Sequence, residues 1–317
     1  MKRIAELMVD GSRAHLAPYL PEIPNRVGGS IARMHFDSLA ELAEFIPETA
    51  PADAFSKWGW GGNDPSFYGS AKTMADALKL ARDGWQEGAE QALPLLERVK
   101  VARPTRKTLT RYAIAGAVAS VPRYLANNPL HMRSVQRSDT AQRPVITIVS
   151  STAAPCYVDE KTFRALAVAA VAIVDRLEDA GFRTEVIAGR RESNSSTGTA
   201  DATGENNAAG NRSEVFFRLK AADDSLDMAR VVFGIGHPAV HRRLLFGACE
   251  MHPGYEPSIG TNQGYAVGLT NLDRPPGTYI LPAMASLAKN KLSDPIKVFD
   301  YAVEVLKKQG CPGLTDE

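Results

Sequence analysis

The stretch from Arg143 to Gly189 constrains the fold more than any other part of the chain. Val145 to Val149 is a short apolar run rich in β-branched residues, suited to a strand covered on both faces. A polar loop follows, and Asp159 stands where a helix needs a cap. Phe163, Leu166, Ala167, Ala170, Ile173, Val174 and Leu177 then recur at helical spacing, while Lys161, Arg164, Asp175, Glu178 and Asp179 fall on the opposite face. Gly181 occupies the left-handed position that ends such a helix, and β character resumes from Arg183 to Ala188. Strand, helix and strand in this order form a βαβ unit, so the two strands are expected to be parallel with a right-handed crossover.

Around that unit the chain has 317 residues, enough for two domains. The expected division is a small, mainly helical N-terminal region with a basic connector over 1–138, then an α/β three-layer domain with a mostly parallel sheet over 139–317. A hydrophobic fraction of 44% argues against gross disorder. No apolar run approaches the roughly 20 residues of a membrane span. The start, MKRIAELMVDGSRAHL, lacks the apolar core and cleavage site of a signal peptide. Cys156, Cys249 and Cys311 are odd in number and far apart, which fits a reducing compartment and a cytoplasmic protein.

Along the N-terminal region, Pro18, Pro21 and Pro24 impose an extended strap. Ser38 and Glu41 form a capping-box pattern ahead of Leu39, Leu42 and Phe45. Helices are expected over 73–82 and about 87–99, with Gly84 and Trp85 at their junction. Trp58, Trp60 and Trp85 are all the tryptophans of the chain, and they read either as the aromatic core of this small region or as a stacking platform for bases or sugars.

Next comes a lopsided charge pattern. From 98 to 138 there is no Asp or Glu, while Arg98, Lys100, Arg103, Arg106, Lys107, Arg111, Arg123, Arg133 and Arg137 contribute nine cations. In a chain of net charge +1 this leaves the remainder at −8. Such a segment faces either phosphates, with Trp58 and Trp60 alongside, or an acidic surface of this chain or a partner. Val118, Val121, Tyr124 and Leu125 interrupt it with what reads as ordinary core.

Beyond the βαβ unit, 190–213 contains no large apolar residue and is expected to be a disordered surface loop. A strand over 214–219 follows, then a helix over 226–233 broken by Gly234 and Gly236, and a further helix opened by Pro238. A strand over 278–281 precedes a last helix with Pro295 in its first turn and Ile296, Phe299, Val303 and Leu306 inward.

Few residues combine into chemistry. His237 and His241 stand four apart, with Cys249 and His252 downstream, a weak zinc pattern because Pro238 puts His237 at a helix cap and the Cys–His pair lies turns away. Ser150, Ser151 and Cys156 follow a buried strand, where α/β folds place active groups. No G-x-S-x-G, P-loop or G-x-G-x-x-G motif accompanies them, so no catalytic residue and no cofactor is assigned.

Residues 143–310 resemble a von Willebrand factor A-type domain, a Rossmann-like fold that opens with an apolar strand ending in Asp-x-Ser-x-Ser. Such domains hold a divalent metal there. In VITIVSSTAAP the three positions are Ser150, Thr152 and Ala154, so the carboxylate and the last hydroxyl are missing and the resemblance implies a degenerate metal site. FYGSAKTMADALKLARDGWQEG resembles a segment of uncharacterised proteins of tailed phages and integrated elements. Together these imply a non-enzymatic, phage-type accessory or assembly protein that binds a protein partner in the host cytoplasm. The alternative is a nucleic-acid-binding protein using the 98–137 segment.

Overall fold

The computed structural model describes residues 31–46, 65–98, 109–115, 118–136, 144–155, 157–193, 212–250, 265–266 and 275–314. In chain order these carry β1 (Ile31–Phe36), α1 (Leu39–Phe45), α2 (Pro65–Tyr68), α3 (Met74–Asp83), α4 (Gln86–Arg98) and β2 (Leu109–Ala113). There follow β3 (Val118–Ala119), α5 (Val121–Leu125), β4 (Met132–Gln136), β5 (Val145–Ser151), α6 (Glu160–Asp179), β6 (Arg183–Ser193), β7 (Arg212–Lys220) and α7 (Met228–Gly236). A π-helical turn at Val240–Leu245 leads into α8 (Phe246–Glu250), then β8 (Tyr265–Ala266), β9 (Thr278–Ile280), α9 (Met284–Lys289) and α10 (Pro295–Lys308).

The sheet is built outward from β5, which is buried from Ile146 onward. It runs parallel to β6, from Val145 opposite Arg183 to Ser151 opposite Gly189, and parallel to β9 on its other side. The strand order is β1-β7-β6-β5-β9, with β8 added to β6 beyond the end of β5. Because β7 and β8 run antiparallel to β6, while β1 runs parallel to β7, the sheet is mixed though mostly parallel. The expected α/β class and the parallel βαβ unit are both present.

The crossover helix α6 is capped by the Asp159 carboxylate, which accepts from the Thr162 amide at 2.9 Å, and Gly181 closes it at φ 96°. Its seven expected inward residues are buried, and so are Val168, Ala169, Val171 and Ala172 on its other side. Neighbouring helices explain this: α6 is sandwiched between the sheet and α4, α7, α9 and α10. Its many alanines let those helices come close. A Cβ on Gly236 would stand 2.6 Å from the Ala167 Cβ, and one on Gly234 would stand 2.3 Å from a Leu219 methyl. The two glycines therefore lie inside α7 as close-approach positions, not as breakers. The expected break at 233 is corrected on that ground.

The strand β1 was not foreseen; the expected strap over 18–29 ends just ahead of it and lies outside the described residues. It forms the sheet edge beside β7, and its Met34 and Phe36 join one core cluster that continues through α1, α3, α4, α6, α7 and α10 to Leu314. The buried core does not divide at residue 138. On the opposite sheet face a small cluster of Val149, Ile187, Phe216 and Ile280 is buried. Beside it Thr147 donates to Glu185 at 3.1 Å, and Glu185 meets Arg218 at 3.0 Å.

The 190–213 segment also differs at its ends from expectation: 190–193 complete β6 and 212–213 open β7, and 194–211 lie outside the described residues. These polar ends are paired in the sheet, 190–193 with 212–215 and 192–193 with β8, which hydrophobicity could not reveal.

Candidate functional site

Two places carry the residues singled out by sequence. The first is the carboxyl end of β5 and β6, where the weak metal and nucleophile candidates meet. Ser150 is fully buried on the helical side of β5, and its Oγ has no hydrogen-bond partner. The Thr152 hydroxyl is spent on the Gly189 carbonyl at 3.0 Å. At the third motif position the Ala154 backbone meets His241, whose Nε2 lies 3.3 Å from the amide nitrogen and 3.2 Å from the carbonyl oxygen.

His241 comes from the π-helical turn, which carries the run His241-Arg242-Arg243 entirely buried. Three consecutive polar side chains inside a core need dedicated partners, or each costs several kcal/mol. Arg242 stacks 4.2 Å over Phe67 and donates to the carbonyls of Phe67 at 2.7 Å, Pro155 at 3.2 Å and Val158 at 2.9 Å. Arg243 stacks 3.8 Å over Tyr68, donates to the Ala71 carbonyl at 3.0 Å and also reaches the Lys72 carbonyl. The turn thus clamps the 67–72 segment to the loop that leaves β5. A π-helical turn, wider than an α-helical one, is often found at sites of special demand, and here the demand is placing successive basic side chains inward.

Electrostatics there oppose a metal ion. Burial, with the charges of Arg190 and Arg242 behind it, holds the His241 imidazole well below its ordinary pKa. Arg190 is itself buried, 4.2 Å over the Phe246 ring. The described residues contain no group of three or more His, Cys, Asp or Glu able to hold a metal. The donor set does not fit the divalent cation that the von Willebrand A-type resemblance implies.

The zinc pattern separates as well. His237 caps the end of α7, where its Nδ1 accepts from the Ala239 amide at 3.1 Å. The proton therefore sits on Nε2, which donates to the Ser70 hydroxyl at 3.0 Å. Burial lowers its pKa to about 3, with the Arg164 charge second, and Trp85 packs edge-on at 4.6 Å. His237 and His241 thus serve different neighbours. Cys249 is buried, while Cys156 and His252 lie outside the described residues.

The second place is the basic segment. Lys100, Arg103, Arg106, Lys107 and Arg137 lie outside the described residues, as do Trp58 and Trp60. Arg98 ends α4, Arg111 lies on β2 and Arg133 on β4. The strands β2, β4 and β3 form a separate antiparallel sheet in that order, with α5 and its Pro122 in the connection. We call this unit the arm. Its register puts Tyr112 and Val118 on either side of Arg133. The Arg123 guanidinium covers the Tyr112 ring at 3.8 Å, and Tyr124 meets His131 edge-on at 5.3 Å.

The apolar residues of the arm face outward. Ile114 is 74% exposed, Val121 63%, Tyr124 62% and Leu125 77%, with Leu130 and Tyr112 also exposed. None of the arm side chains whose burial is described is buried. The expectation that Val121, Tyr124 and Leu125 form ordinary core is therefore corrected: among the described residues no second layer covers this three-stranded sheet and its short helix. The sequence signal that could have shown this is the setting of these residues, Val121 just before Pro122 and Tyr124 and Leu125 between Pro122 and Pro129, within an acid-free run of cations. Arg242 and Arg243 had a signal too, as paired charges inside the apolar run PAVHRRLLFGAC.

These features define a mixed-sheet α/β protein with a cationic clamp at the end of its central strands and a separate arm carrying arginines and exposed apolar residues. The chain belongs to the family described as "Domain of unknown function (DUF7192)", whose model matches residues 16–313. Comparisons with curated proteins and with solved structures returned no match. Among the described residues no helix is long and apolar enough to cross a membrane.

Proposed function

We propose that this chain is a non-enzymatic accessory or assembly protein that binds a protein partner, with the arm as its contact surface. The carrying observation is the outward array of Ile114, Val121, Tyr124 and Leu125. Burying each such side chain is worth roughly 1.5–3 kcal/mol. An exposed apolar set rimmed by charge is the usual mark of a protein contact. Aliphatic side chains gain little against phosphates, which favours a protein over a nucleic acid as the partner. The clamp supports the same reading from the other side, because the Thr152 hydroxyl, the His237 imidazole and the Arg242 and Arg243 guanidiniums are engaged in holding the fold. A degenerate von Willebrand A-type body and a phage or integrated-element setting belong to this proposal. The βαβ unit and the Ser150, Thr152, Ala154 positions support the first, and FYGSAKTMADALKLARDGWQEG supports the second.

The test uses the full chain as bait, beside a Val121→Asp/Leu125→Asp chain, against products encoded by neighbouring genes. A partner retained by the unaltered chain, lost with the variant and cross-linked to residues 109–136 supports the proposal. Equal retention by both chains contradicts it. Binding to mixed-sequence DNA with a steep salt slope, unaffected by the apolar substitutions, replaces it with the nucleic-acid reading.

A further inference from the structure

Resting on that reading of the arm, we infer that its occupant is a second copy of this chain, and that the arm docks on the outward face of helix α4 of its neighbour. The argument begins with charge. Nine cations without an acid lie over 98–138 in a chain of net charge +1, so the rest of the chain is at −8. Of these cations the arm holds Arg111, Arg123 and Arg133, with no acid over 109–136, so an acidic face on a second copy is complementary to it. Two arms facing each other would bring six arginines together with no acid among them, which like-charge repulsion disfavours. Arm against body is the favoured pairing.

The body offers a matching face. Along α4, Glu87, Glu90 and Glu97 are exposed, and Leu93 stands among them 49% exposed. Residues 90, 93 and 97 share one helix face at spacings of three and four. An apolar residue set in carboxylates is the counterpart of an arm whose aliphatic residues sit among arginines. Within one chain this complementarity goes unused, because Val121 and Leu125 stay exposed while Leu93 does too. Its use between chains follows from mass action once concentration suffices. Donor and acceptor are different surfaces, so the contact is head-to-tail, producing a closed ring or an open chain of subunits. A self-assembling product of this kind is what an assembly protein requires.

The experiment is sedimentation velocity of the full chain with two variants, Val121→Asp/Leu125→Asp on the arm and Glu90→Lys/Leu93→Lys on α4. All altered residues are exposed, and circular dichroism with unfolding midpoints checks that both variants remain folded. The unaltered chain is expected to form oligomers that grow with concentration and weaken with added salt. Each variant alone is expected to remain monomeric, its self-affinity reduced at least about tenfold. Mixed in equal amounts, the two variants are expected to form a dimer, because one intact arm meets one intact α4. Oligomers of the α4 variant equal to those of the unaltered chain would overturn the inference in favour of arm-to-arm contact. A mixture that stays monomeric would overturn it too. A monomeric unaltered chain that still retains an arm-dependent partner would overturn this inference alone and leave the proposed function standing.

Discussion

The clamp and the arm use the same residue types to opposite ends. In the clamp, Arg242 and Arg243 are buried, lie over Phe67 and Tyr68, and donate to backbone carbonyls of residues distant in sequence. In the arm, Arg123 lies over Tyr112 in the same manner, but at the surface and among exposed aliphatic side chains. The stacking geometry is nearly identical. What differs is burial: among the described residues a second layer covers the clamp and none covers the arm, and that separates a cation that builds the fold from one held at the surface.

The largest expected effect lies in the clamp. Replacing Arg242 by Met keeps the aliphatic bulk but leaves the Phe67 and Val158 carbonyls without their donor. The expected loss is about 3 kcal/mol or more in urea unfolding. A loss below about 1 kcal/mol would mean that the clamp is ornamental. Gly236→Ala comes next, because a Cβ there meets Ala167 at 2.6 Å; overpacking of this kind costs about 1–3 kcal/mol. A neutral outcome would show that α6 and α7 are not pressed together as described.

Acid sharpens the comparison further. His237, with a pKa of about 3, is neutral in the folded protein and ordinary in the unfolded one. Between pH about 6.5 and about 3 the unfolded chain binds the extra proton, so stability falls as pH falls. The slope is about 1.4 kcal/mol per pH unit for this imidazole. His241, lowered by burial and by Arg190 and Arg242, acts in the same direction. Unfolding midpoints measured across this range should fall toward acid, and His237→Gln should flatten the dependence. An unchanged slope in that variant would remove His237 from the clamp's neighbourhood.

Legibility followed the reach of the forces involved. The βαβ unit was readable because burial of one helix stripe and a β-branched run leave periodic marks, and Asp159 and Gly181 punctuate it locally. Residue Gly236 was misread because its role depends on Ala167 some seventy positions away. The strand β1 was hidden because its neighbour in the sheet, β7, is remote in sequence. At the candidate site, Ser150, Thr152 and His241 were all noticed, but the clamp depends on carbonyl oxygens of Phe67, Pro155 and Val158, and every residue has a carbonyl. The exposed arm escaped for the opposite reason. Val121, Tyr124 and Leu125 look like core residues in composition, and only their exposure in the fold shows that they are not.

The most direct test compares urea unfolding midpoints of Val121→Asp/Leu125→Asp and Arg242→Met with the unaltered chain, all in dilute solution where subunits are apart. The arm variant should unfold within about 0.5 kcal/mol of the unaltered chain, as surface substitutions do, while Arg242→Met falls far below both. An arm variant as destabilised as the clamp variant would show that these apolar residues hold the fold together, and would contradict the division of roles between the two regions.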